Sequence, residues 1–142
     1  MRAGLVLSLG LGGALLAAGA APHPGASGGV RGAWQFQTAP YDGGCVMTGD
    51  LIVRGDAKSG YICRLVAHEA CPEITVTAQQ TCRLTEERGA VTIKSRLERV
   101  TVPNYAPDNF ALRMESAARM TGQLRSADIA PVTFFRGPGA IS

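Results

Sequence analysis

The chain has 142 residues, of which 46% are hydrophobic and 18% charged, with a formal net charge of +3. That is the size of one domain, and it is too apolar and too weakly charged to read as disordered. A surplus of three charges makes no case for nucleic-acid binding.

Residues 1–20 read as a secretory signal peptide. Met1-Arg2 gives a short positive start, Leu5 to Ala17 is an apolar run, and Ala18-Gly19-Ala20 fits a small-x-small cleavage site. The run is too short and too rich in glycine to span a membrane, which takes about 20 apolar residues. There is no Arg-Arg pair for the twin-arginine route and no cysteine after the cleavage site for a lipid anchor. The mature chain is expected to start at Ala21, in the periplasm or outside the cell, with no stable membrane insertion. The four cysteines, Cys45, Cys63, Cys71 and Cys82, lie in the mature part and read as two disulfides. Zinc is the weaker reading, because no C-x2-C knuckle occurs.

Residues 21–31 (APHPGASGGVR) are rich in Pro, Gly and Ser and read as a flexible arm. After it, apolar and polar residues alternate in short runs broken by turn signals. Trp34 to Gln37 is the first strand. Cys45, Met47, Gly49, Leu51 and Val53 share one face of the second. Tyr61, Cys63, Leu65 and Ala67 share one face of the third, with Arg64 and His68 opposite. Ile74, Val76, Ala78, Gln80, Cys82 and Leu84 face inward on the fourth, and Val91, Ile93, Ser95 and Leu97 alternate along the fifth. Val102 to Asn109 is a loop with two prolines. Phe110 to Met114 and Met120 to Leu124 fit two strands, although Asp108 could instead cap a helix over 109–120. Val132 to Arg136 is the last strand, and the tail 137–142 has no pattern and is expected to be disordered. Eight strands joined by short turns close most simply into a small up-and-down antiparallel barrel over 32–136. A two-sheet sandwich is the alternative; closure is preferred because it leaves no sheet edge.

The alternation also sets cysteine partners. With the Gly55–Gly60 turn centred near residue 57, Leu51 faces Cys63 and Cys45 faces Glu69, leaving Cys71 diagonal to Cys45. With the next turn near 72–73, Cys63 faces Cys82. The expected bridges are Cys45–Cys71 and Cys63–Cys82, since facing Cβ atoms lie within reach of a bridge. Gln80 then faces Ser95 as an inward polar pair. Met47-Thr48-Gly49-Asp50-Leu51 recurs as Met120-Thr121-Gly122-Gln123-Leu124 on the second and seventh strands. Inward Gly49 and Gly122 would leave space beside Trp34 or relieve bending.

Gly32-Ala33-Trp34 resembles the G-x-W of the calycin barrels, in which a late arginine packs over the tryptophan. Arg136 stands where that arginine would be, and such a contact is a favourable cation–π interaction. Over about 60 residues the chain is similar to the bacterial periplasmic inhibitors of alkaline metalloproteases, a family that belongs to these barrels. The matching residues are Gly32 and Trp34, then Cys45, then Tyr61, Leu65 and Cys71, then Gly89, Val91 and Ile93. The resemblance implies a calycin-like barrel, supports the Cys45–Cys71 pairing and implies a protein partner, a secreted protease. In that family the N-terminal segment enters the protease cleft, which makes Ala21, Pro22, His23, Pro24 and Arg31 the candidate binding arm. Cys63 and Cys82 are additions to the family pattern.

Catalysis has little support. His23 lies in the arm, and His68-Glu69 is not completed to H-E-x-x-H because Pro72 stands at the fifth position. No nucleophile elbow, phosphate loop or dinucleotide fingerprint occurs, so no catalytic, cofactor or metal residue is assigned. Two binding classes remain: a protein-binding module, and a carrier of a small apolar ligand. An envelope-structural role is vaguer. An apolar interior cavity above about 300 Å3 would favour the carrier.

Overall fold

A computed structural model describes residues 29–137. They form eight strands: β1 (Gly32–Thr38), β2 (Val46–Asp56), β3 (Gly60–Ala70), β4 (Thr75–Glu87), β5 (Ala90–Val100), β6 (Asn109–Ser116), β7 (Arg119–Arg125) and β8 (Ile129–Arg136). Each pairs antiparallel with the next, and β1 pairs with β8 from Trp34↔Arg136 to Thr38↔Val132, so the sheet closes into an up-and-down barrel. Closure leaves no strand edge to cover, which disposes of the sandwich.

The stretch 109–120 forms strands, not a helix. Phe110 faces Leu124 and Leu112 faces Gly122. Period-two burial against two neighbouring strands outweighs the helix propensity of its Ala, Met and Glu residues. The tight connection is closed by the Ser116 hydroxyl, which accepts the Ala118 N–H at 3.2 Å.

The β2–β3 register differs from the expected one. The turn centres on Lys58, so Leu51 faces Leu65 and Val53 faces Cys63. Asp56 is the cause. Its carboxylate accepts the N–H groups of Lys58 and Ser59, at 2.9 and 2.7 Å, and the Ser59 hydroxyl at 2.8 Å. That Asx-type turn holds three residues outside the ladder. The donations from Ser59, then that from Lys58, hold the exposed Asp56 carboxyl below its ordinary range. Because the ladder runs from Val46↔Ala70, Cys45 and Cys71 stand just beyond it, where they are bonded to each other. Cys63 faces Cys82 and is bonded to it.

The interior is layered. Trp34, Leu51 and Leu65 share one row, because Trp34 faces Leu51 and Leu51 faces Leu65. Next comes an aromatic layer: the Phe36 and Phe134 rings stack at 4.8 Å, and Phe110 meets them edge-on at 5.3 and 5.1 Å. Gly49 faces Phe36, so the room it leaves is taken by that ring and not by Trp34. Tyr61 and Met114 pack against this core while partly buried, and Leu97 is also only half-buried. Ile74 falls in the β3–β4 turn and is exposed, contrary to its expected inward place, because β4 starts only at Thr75.

Candidate functional site

The two barrel ends differ in chemistry. At one end lie the turns after β2, β4 and β6, the entry of the chain and the end of β8. Trp34 donates its indole N–H to the Val30 carbonyl at 2.9 Å. The Arg136 guanidinium lies over the indole, 4.0 Å from the ring centroid. Its Nη2 donates to the Gly29 carbonyl at 2.6 Å, its Nε to Ala117 at 3.1 Å, and its Nη1 to Arg31. A guanidinium presents five donors in a fixed fork, so one side chain ties the entering chain, the β6–β7 turn and the tryptophan together. Burial of that guanidinium lowers its pKa. Gly32 is required beside it, having φ +112° and a Cβ position 2.9 Å from Arg136 Nη1. This is the physical content of the G-x-W pattern in this chain.

The clamp corrects the extent of the arm. Val30 is fully buried, and Gly29 to Arg31 are fixed to the barrel end by Trp34 and Arg136, so these three residues are not flexible. Ala21, Pro22, His23 and Pro24, like the signal-peptide residues 1–20 and the tail 138–142, lie outside the described residues. Gly137, at the start of the expected tail, donates its N–H to the Ala33 carbonyl at 3.2 Å.

The opposite end is plugged by polar groups that the sequence pattern did not reveal. Gln80 does not face Ser95. A bulge at Gln79/Gln80 sets it opposite Leu97 and places Ser95 opposite Cys82. The Gln80 side chain instead grips Asp108: its Nε2 donates to Asp108 Oδ2 at 2.7 Å, and its Oε1 accepts the Asp108 N–H at 2.9 Å. The Tyr105 hydroxyl donates to the same carboxylate at 2.9 Å, and the Tyr41 hydroxyl donates to Glu69. Burial and the adjacent carboxylates push both phenols above their ordinary range. The one hint in the sequence was an inward polar Gln80 on an otherwise apolar face.

Asp108 is fully buried, and its carboxyl is raised from 3.8 to about 6, chiefly by burial, while hydrogen bonds from Gln80 and Tyr105 pull it down. Between those values the folded state holds a proton that the unfolded chain has released. Unfolding free energy from this group therefore falls as pH rises through that window. Asp108→Asn is expected to remove the effect. The melting temperature of the natural chain should lose ground to the variant from pH 4 to pH 6, by an amount worth up to about 3 kcal/mol.

Other candidate ligands are tied up. Cys45, Glu69 and Cys71 bring ligand atoms within 4.8 Å of one another, but the two sulfurs are bonded together and offer no thiolate. His68 is exposed on the outer face, its Nδ1 3.1 Å from the Thr77 hydroxyl. The barrel centre is filled by the aromatic layer, and a concave space of about 530 Å3 lies outside the wall, on β2 to β5.

No protein-family model matches the chain, and a search of curated proteins finds no match. Among solved structures, a de novo designed fluorescence-activating beta barrel is similar over 75% of this chain and 93% of its own, at 14% identity and a TM-score of 0.52. At that identity the likeness concerns the barrel fold alone.

Proposed function

We propose that the chain is an exported, non-enzymatic binding barrel that engages another protein, in the manner of a protease inhibitor, through residues 21–28 presented from a rigid rim. The observation that carries this reading is the clamp. Trp34 and Arg136 hold the carbonyls of Gly29, Val30 and Arg31, so whatever precedes Gly29 leaves the barrel from a fixed point. Pre-organising the root of a binding segment reduces the entropy lost when it docks. Pro22 and Pro24 restrict the segment further and suit an extended, main-chain-paired pose in a cleft. The resemblance to periplasmic metalloprotease inhibitors points to the same kind of partner. Two disulfides suit an oxidising compartment such as the periplasm or the cell exterior. The packed aromatic centre speaks against a small-ligand carrier.

Deleting residues 21–28 tests the reading, because it leaves Gly29, Val30 and Arg31 with their contacts to Trp34 and Arg136 in place. The full mature chain is expected to inhibit an exported alkaline metalloprotease, and the truncated chain to melt at the same temperature without inhibiting. Equal inhibition by both forms would move the binding surface elsewhere on the barrel. No inhibition by either, together with saturable uptake of an apolar dye, would put the carrier ahead.

A further inference from the structure

The outer wall of β2 to β5 carries a groove of about 530 Å3 whose lining has a regular plan. Outward residues form two adjacent rows across the four strands. One row runs Ile52, Arg64, Thr81, Arg96 and the other Arg54, Ile62, Arg83, Lys94, each residue facing the next across the ladder. Five cations and no acid line the space. The chain as a whole carries only +3, against five cations on the lining of this one groove, while the acids of the same wall, Asp50 and Glu98 among them, lie outside that lining. Among the described residues, Arg96 alone of the five makes an ion pair, with Glu98 at 3.1 Å.

Two features are unfavourable for the barrel by itself. Arg83 and Lys94 face each other directly, and like charges in facing positions on adjacent strands destabilise a sheet. Ile52 and Ile62, diagonal neighbours between the arginines, are 45% and 57% exposed. An anion would relieve the first, and hydrocarbon beside that anion would cover the second.

We propose that this wall docks on an anionic phospholipid surface, with a lipid phosphate seated at Arg83, Lys94 and Arg54 and the first carbons of the lipid on Ile52 and Ile62. Ile62 stands between Arg54 and Arg83 in one row, with Ile52 diagonal to it, so charge and apolar contact are offered to one amphiphile at once. Guanidinium forks match phosphate oxygens, and basic residues beside exposed aliphatic ones attract and hold an anionic leaflet. An acidic peptide is less well served: the backbone of this wall is committed to the closed ladder, so no main-chain partner is free for an added strand. Single-stranded nucleic acid is less well served too, since no aromatic ring lines the groove for bases to stack on. Docking of this kind is peripheral; no strand or helix enters the bilayer.

The test uses the full mature chain and sedimentation with phosphatidylcholine vesicles, with and without phosphatidylglycerol. Binding is expected only with phosphatidylglycerol and should weaken with salt. Reversing Arg83 and Lys94 together to Glu should lower the partition coefficient by about fivefold or more per cation. Ile52→Ser with Ile62→Ser should lower it without changing the salt dependence. Arg119→Glu with Arg125→Glu, on β7 outside the groove, should reduce it far less. The single variant Arg83→Glu sets opposite charges face to face and guards against a folding artefact, with near-ultraviolet circular dichroism as the check. Equal binding to phosphatidylcholine alone, or an equal loss from the β7 pair, would overturn the proposal. So would displacement by equimolar inorganic phosphate, which marks a free-anion site. Binding of poly-glutamate or single-stranded DNA that is lost in the groove variants, with vesicle binding unaffected, would reassign the wall to a protein or nucleic acid. The groove is built by β2 to β5, so vesicle binding is expected to survive deletion of residues 21–28, which separates this proposal from the reading of the arm.

Discussion

Replacing Cys45 and Cys71, or Cys63 and Cys82, by alanine is expected to lower stability by about 3 kcal/mol for either pair. The bridges span sequence separations of 26 and 19 residues, so their constraints on the unfolded chain are similar in size. For a domain of this size that is a fall of roughly 10–25 °C in melting temperature. The loops they close overlap in sequence, since Cys63 lies between Cys45 and Cys71, so losing both should cost less than the sum of the two. Even so, the doubly reduced chain would give up a large share of the roughly 5–15 kcal/mol that a small domain holds. The bridges should also differ in lability. Cys71 is half-buried, whereas Cys63 and Cys82 are both buried, so graded reduction should open Cys45–Cys71 first. Thiol labelling at increasing reductant, followed by peptide mapping, measures the order; early labelling of Cys82 would contradict it.

The disulfide pairing was readable in advance because it depends on strand parity, and parity survives an error in the turn. Centring the β2–β3 turn on residue 57 instead of 58 moved Cys63 from facing Val53 to facing Leu51, yet kept every inward residue inward. Side chains alternate with period two, so a register shift of two residues leaves each face intact. The turn itself was set by three hydrogen bonds to Asp56, a local detail that hydrophobic alternation does not carry. The polar plug was hidden for a different reason. Asp108 sits in a Pro-Asp-Asn run that reads as loop or cap, and its partner Gln80 is 28 residues away. Only the closure of the barrel brings the loop after β5 over the inward face of β4. Similarly, Gly29 to Arg31 look like linker by composition. What fixes them is Arg136, 107 residues beyond Gly29, and no local pattern could announce that contact.

The repeated Met-Thr-Gly-x-Leu string gives the other large effect, because both its glycines stand where the barrel has no room for a side chain. At Gly49 an added Cβ would overlap the Val66 carbonyl oxygen and come within 2.5 Å of the Phe36 ring. That ring is held by Phe134 and Phe110 on its other sides and has nowhere to retreat. At Gly122 an added Cβ would overlap the Ala111 carbonyl oxygen and stand 2.7 Å from Leu112 Cα, both backbone. Gly49→Ala and Gly122→Ala are each expected to cost about 3 kcal/mol, the upper end of what overpacking does, because backbone must move in both cases. Gly137→Ala is the matched control. Its nearest neighbour is the Gln35 Cγ at 3.7 Å, an ordinary contact, and its effect should stay within about 0.5 kcal/mol. The two costly sites should then separate in a double-mutant cycle with Phe36→Leu. Shrinking the ring removes one of the two obstacles at Gly49 and should recover part of the loss there. It removes neither obstacle at Gly122, where the two losses should simply add. Denaturant melts of the six chains measure the coupling, and an equal recovery at both glycines would show that the strain is carried by the aromatic layer rather than by the backbone of the neighbouring strands.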